Sequence, residues 1–259
     1  VARRLFGDNG GFLALAFYCL SPTIIRYSVS PNNEVLAMWG LYGTVYTAMG
    51  VAHAMQGPRR KWRPRIVLLT LALGLTAAAH LLAAMVGFVA ALIFMFYLAE
   101  RRRSGVMQIL VYAVLGGLAI LFAFFSFRVQ PYTYIFTGGG GRFWFSLDGL
   151  HALLADSGNW PTLAAAAVCL LMTVLYRRSR YFGNSAPLLM FVGLVFLETT
   201  QVLSAPWIWA VPFLLTFIGG VFADVLELKE RRIFQVMAGF LLFVQAILCY
   251  KMFPLLGTL

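Results

Sequence analysis

Long apolar runs recur through this chain, each near the length of a bilayer crossing and most of them closed by basic residues, and few folds tolerate that pattern. Leu36 to Met55 is one such run, followed by Gly57-Pro58-Arg59-Arg60-Lys61-Trp62-Arg63-Pro64-Arg65, with five positive charges in nine residues. A bilayer core about 30 Å thick needs roughly 20 apolar residues per helical crossing. Inside it every backbone amide has to find a partner within the protein, so only α-helices and closed β-barrels span. The runs here are apolar on every face, whereas barrel strands alternate apolar and polar residues. Charged residues make up 11% of the chain and hydrophobic ones 61%. Soluble domains carry about 25% charged residues, so a soluble enzyme is excluded. The expected fold is an all-α, polytopic transmembrane helix bundle, a single transmembrane domain over residues 1–259.

The spans read in order as follows. Gly11 to Ile25 is short and is interrupted at Ser21-Pro22, where proline breaks the helical hydrogen-bond ladder. Leu36 to Met55 is the second. Ile66 to Leu98 is too long for one crossing and short for two, and it is bounded by basic clusters at both ends, which predicts a tight pair of short helices or a re-entrant hairpin, turning near His80. Val106 to Phe127, Pro161 to Tyr176, Pro187 to Val202, Trp207 to Ala223 and Ile233 to Tyr250 complete about nine apolar helices. Between Arg128 and Trp160 lies the one long hydrophilic connection, residues 128–160, expected to be extracytoplasmic.

Charge orients the chain. Placing residues 1–9, 57–65, 100–105, 177–182 and 228–232 on the cytoplasmic side accounts for 16 of the 20 basic residues and leaves Arg26, Arg128, Arg142 and Lys251 outside. This positive-inside bias explains the excess over nine acidic residues without invoking nucleic acid. Cys19, Cys169 and Cys249 all lie in apolar runs without CxxC spacing and read as small buried hydrophobes. No cofactor is indicated, and no spacing points to a divalent metal.

Ionisable residues at membrane depth are functional candidates because lipid penalises them. On this topology the candidates are Arg26, Glu34, His80, Arg128, Arg142, Asp148, His151, Asp156 and Glu198. His80, at the hairpin break, is suited to donate to a phosphate or move a proton, or else to pack helices through a hydrogen bond. Arg128 and Arg142 flank the outer loop, where a guanidinium grips phosphate bidentately or meets lipid headgroups. Tyr132 and Tyr134 suit stacking on a sugar face or an interfacial aromatic belt. Gly138 to Gly141 lack the Lys-Ser/Thr that a phosphate-cradling loop requires.

Ala2-Arg3-Arg4-Leu5-Phe6-Gly7, Leu13-Ala14-Leu15-Ala16, Leu20-Ser21-Pro22 and Arg26-Tyr27-Ser28 together resemble a recurring segment of the GT-C glycosyltransferases, of the protein-mannosyltransferase and lipid A aminoarabinose transferase type. Leu73-Gly74-Leu75-Thr76-Ala77-Ala78-Ala79-His80 resembles a second segment of those enzymes, with His80 where lysine is common. The resemblance spans roughly residues 2–100. It implies a GT-C-like bundle that takes a sugar from a polyprenyl-phosphate carrier and transfers it to an acceptor on the extracytoplasmic side. It also implies a catalytic acidic residue in an outer loop that precedes the matched segment, hence outside this chain. Within the chain Glu34 is the acidic candidate for acceptor activation, and His80, Arg128, Arg142, Tyr132 and Tyr134 are the candidates for binding the donor. The implied partners are the bilayer and a lipid-linked sugar donor, in a bacterial inner membrane. The competing readings are a polytopic transporter or flippase, which usually shows paired broken helices, and a non-catalytic membrane subunit.

Overall fold

The computed structural model describes residues 1–29, 33–55, 62–98, 103–126, 147–155, 158–175, 182–199, 207–227 and 231–256. They form eleven α-helices: α1 (Ala2–Cys19), α2 (Pro22–Val29), α3 (Glu34–Met55), α4 (Arg63–Ala79), α5 (Leu81–Leu98), α6 (Arg103–Ser126), α7 (Asp148–Ala155), α8 (Trp160–Leu175), α9 (Phe182–Thr199), α10 (Val211–Val225) and α11 (Arg231–Leu256), with a 3-10 turn at Trp207–Ala210. Four stretches, Glu34–Ala54, Gly105–Ser126, Trp207–Val225 and Arg232–Met252, are long and apolar enough to cross a membrane, and α1 with α2, bent by 58° at their junction, are together apolar enough for a broken span or a re-entrant loop. Leu81–Phe96, Trp160–Leu175 and Ser185–Thr199 are shorter apolar helices. These are the helices of an integral membrane protein.

The helices pack as two compact units, one of α1, α2 and α7 to α11, the other of α3 to α6. At the centre of the first lies α10, in which Val211 to Ala223 and Val225 are all buried. Helices α1, α8, α9 and α11 pack around it. Between apolar helices in lipid there is no hydrophobic driving force, so close van der Waals approach has to hold them. Small residues four apart permit it: Gly10 and Ala14 on α1 face Gly219 and Ala223 on α10, and a Cβ added to Gly219 would sit 2.6 Å from the Gly10 carbonyl oxygen. One turn on, the rings of Phe17 and Phe222 stack at 6.4 Å. Near its start α1 is kinked at Gly7, whose φ of +73° is left-handed backbone that suits glycine.

In the second unit α4 and α5 both pack on α3, and α6 packs on α4 and α5. The expected hairpin is there. His80 alone separates α4 from α5, and a Cβ on Gly116 of α6 would touch Leu73 and Phe88, seven and eight residues to either side of His80. Residues at equal distance from His80 thus lie at one level, so the chain reverses there. The core of this unit gathers Val51, Ile66, Leu69, Leu73, Ala84, Met95 and Tyr112. At one end of the unit Arg65 donates from its guanidinium to the Gly50 carbonyl at 2.7 Å, closing the last turn of α3 against the start of α4.

One expectation needs correction. Cys169 and Cys249 are buried, but Cys19 is exposed, because it follows Phe12 and Leu15 along the outward face of α1. Within the 128–160 connection Asp148–Ala155 is helical. Leu153 anchors that helix by its burial.

Candidate functional site

The two interruptions expected from the sequence, at Ser21-Pro22 and at His80, each organise polar groups at one end of their own unit. In the first unit the ladder of α1 ends at Leu20, and α2 restarts at once. Ser21 and Pro22 explain why: the Ser21 hydroxyl accepts a hydrogen bond from the Ile24 amide at 3.4 Å, and proline at the first helical position gives up no needed donor. The carbonyl of Leu20, freed by the break, accepts a hydrogen bond from the Cys249 thiol at 2.9 Å. Beyond it the buried Thr23 hydroxyl donates to the Asn159 side-chain oxygen. The Asn159 amide donates to the Leu153 carbonyl at 3.1 Å, while its backbone carbonyl receives the first helical bond of α8 from Leu163 at 2.9 Å. One side chain thereby ties α2, α7 and α8 together. A turn deeper, Gln245 of α11 donates to the Thr162 hydroxyl at 2.6 Å, and its buried side-chain oxygen has no hydrogen-bond partner among the described residues.

Short helix α2 carries Arg26, which is exposed, and Tyr27, whose ring meets Trp207 edge-on at 5.9 Å. Ser28 donates back to the Ile24 carbonyl at 2.8 Å.

In the second unit His80 adopts extended backbone (φ −159°, ψ 112°). Its amide donates to the Thr76 carbonyl at 2.8 Å and its carbonyl accepts from the Ala84 amide at 3.2 Å, so one residue ends α4 and begins α5. One turn before it Thr76 lies against Gly40 of α3, where an added Cβ would meet the threonine hydroxyl oxygen at 2.5 Å. The Thr44 and Thr76 hydroxyls approach to 3.4 Å, each also bonded to a carbonyl of its own helix. Because Gly40 meets Thr76 while Gly50 meets Arg65, α3 and α4 run antiparallel. Glu34, the first residue of α3, therefore lies toward the same end of the unit as His80. Helix α6 ends toward that same end, at Ser126.

The structure thus places Glu34 and His80, both half-buried, at one end of the second unit. Arg26 and the exposed His151 belong to the first unit, as does the half-buried Glu198 of α9. Arg128, Tyr132, Tyr134, Arg142, Asp156 and the glycine run lie outside the described residues. Among the described residues no three His, Cys, Asp or Glu side chains gather as a metal ion would require. The sequence reading missed Thr23, Asn159, Thr162 and Gln245, all neutral. Two signals mark them: Asn159 directly precedes Trp160-Pro161, the pattern of a helix start, and Gln245 is a lone amide inside an apolar run. No protein-family model matches the chain, and no curated protein and no solved structure matches it.

Proposed function

We propose that this chain is a polyprenyl-phosphate-sugar-dependent glycosyltransferase, or the lipid-donor-binding portion of one, a bundle of about nine apolar helices of the GT-C kind in a bacterial inner membrane with its basic loops in the cytoplasm. One observation carries the reading: residues that punctuate the resemblance coincide with helix interruptions. Gly7 holds the left-handed kink, Ser21-Pro22 the 58° bend, and His80 the hairpin reversal. Interrupted helices at membrane depth are tolerated where they face a cavity or a ligand instead of lipid. A lipid-linked donor needs such a place, because its tail belongs in lipid and its sugar in water.

On this reading an acceptor hydroxyl or amine attacks the anomeric carbon, the bond from that carbon to the carrier phosphate breaks, and the phosphate leaves with the electron pair. His80, Arg128 and Arg142 stabilise the charge that grows on the phosphate, Tyr132 and Tyr134 stack on the sugar, and Glu34 serves the acceptor side. The test is sugar transfer by the full-length protein in proteoliposomes, supplied with a polyprenyl-phosphate hexose. Substituting His80, Arg128 and Arg142 singly abolishes transfer without loss of folding. Retained transfer in all three rejects the assignment.

A second reading is a flippase for the same lipid-linked sugar, a class of protein with helices interrupted at membrane depth, as α1 and α2 are by their 58° bend. It predicts that the sugar headgroup becomes accessible to a membrane-impermeant reagent while the sugar–phosphate bond stays intact.

A further inference from the structure

We infer that the core of the second unit holds one bound water molecule, which bridges the side-chain oxygen of Gln108 and the hydroxyl of Tyr112 on α6. Both side chains are turned away from lipid: Gln108 is 4% exposed and Tyr112 0%, on a helix that is otherwise mostly exposed. Neither the Gln108 Oε1 atom nor the Tyr112 hydroxyl has a hydrogen-bond partner among the described residues. Buried polar groups are bonded in the great majority of cases, to protein or to ordered water, and a core surrounded by lipid gains no relief from bulk solvent. Two such atoms on one helix face mark a place for a molecule that donates to the first and accepts from the second.

Helix geometry brings the pair within reach of one bridge. Residues four apart on a helix have Cβ atoms about 5–6 Å apart. Side chains lean toward the helix N-terminus, so the Tyr112 ring reaches back along the turn that carries Gln108. That ring packs against Phe88 of α5 at 5.5 Å, and three residues on, Ala91 contributes only a methyl group to the same core. A water there donates to Gln108 Oε1 and accepts from the Tyr112 hydroxyl through two bonds of about 2.8 Å each. It thereby has the two polar partners that a buried water requires at the least. Other small occupants fit worse. Two oxygens are too few for a calcium or magnesium ion, which takes about six or more, and an anion would face the lone pairs of the Gln108 oxygen.

This site lies apart from the residues assigned to the sugar donor. Gly116 stands level with Leu73 and Phe88, and Tyr112 and Gln108 follow one and two turns farther from His80 along α6. The water therefore belongs to the packing of α6 on α4 and α5, and it goes beyond the glycosyltransferase reading without depending on it.

Crystals of the full-length protein grown in a lipidic mesophase, diffracting well enough to show ordered water, test the site directly. A single water peak within about 3.2 Å of both oxygens is expected. Thermal unfolding in detergent supplies a second readout. Tyr112→Phe and Gln108→Met, which nearly keep the side-chain shapes, each lower the melting temperature by about 2–4 °C, because the water loses a partner and the other polar atom is stranded. The double variant leaves no polar atom to satisfy and melts within about 2 °C of the wild type. No peak, or the two oxygens bonded directly to each other, overturns the inference. So does a single variant that melts at or above the wild type, the result for a dry pair relieved of a buried polar atom, or a double variant that loses as much as the two singles combined.

Discussion

Gly219→Ala tests how the first unit is held together. The added methyl would lie 2.6 Å from the Gly10 carbonyl oxygen, 2.8 Å from the Ala14 Cβ and 3.0 Å from the Ala14 amide nitrogen. Favourable separations between such atoms are about 3.5–4.0 Å, so α1 has to withdraw by roughly 1 Å, and a gap of that size forfeits a quarter to a half of each dispersion contact along the crossing. Two of the three atoms are backbone, which no rotamer change relieves. Overpacking of this kind costs about 1–3 kcal/mol, offset by at most about 1 kcal/mol of helix propensity gained by alanine over glycine. The net loss, about 1–2 kcal/mol, corresponds to roughly 2–8 °C in melting temperature for a chain of this size. Thermal unfolding in detergent, followed by size-exclusion chromatography, reads it. Gly193→Ala and Gly239→Ala, where an added Cβ meets nothing within 4 Å, are the controls and do not lower the melting temperature. If Gly219→Ala melts at or above the wild type, or the controls lose as much, the close α1–α10 crossing is refuted.

Three further outcomes follow from the same structure. Asn159→Leu strips partners from the Thr23 hydroxyl and the Leu153 carbonyl and destabilises the first unit by about 2–4 kcal/mol; a melting temperature equal to the wild type contradicts the three-helix tie. Gly7→Ala places a side chain at φ +73°, costs about 1–2 kcal/mol, and lowers the melting temperature by several degrees; a neutral result means that the kink relaxes. Because the chain reverses at His80, single cysteines at positions 63 and 105 react with a membrane-impermeant thiol reagent from the same side of the membrane, the cytoplasmic one if charge orients the chain. Labelling from opposite sides removes the hairpin.

Reading the sequence located the interruptions better than the packing, for a physical reason. Proline at position 22 and the polar His80 between two apolar stretches change the backbone's own options, and such effects act locally. Burial against a neighbour leaves a weaker trace, since lipid tails are as apolar as a protein interior. Thus nearly all of Trp207–Val225 is buried but only a small part of Gly105–Ser126, although both are strongly hydrophobic. The difference is written in small residues, Gly219 and Ala223 opposite Gly10 and Ala14, and spacing alone does not say which partner such a pair will find. Neutral polar groups were harder still. Asn159 and Gln245 carry no charge to betray a function, and their roles emerge only once α2, α7, α8 and α11 are brought together. Cys19 was misread because an apolar run in a membrane protein has an outward face as well as an inward one.

The central claim is that the helix interruptions receive a lipid-linked sugar donor, and photocrosslinking tests it most directly. A polyprenyl-phosphate sugar bearing a photoreactive group near the phosphate is bound to the full-length protein in nanodiscs, irradiated, and the labelled peptides are identified by mass spectrometry. Labelling concentrated at one of the interruptions, residues 20–28 or residues 73–80, and displaced by excess unlabelled donor, is the predicted result. Labelling spread over the lipid-facing surfaces of α6 and α11, undiminished by competitor, would contradict it.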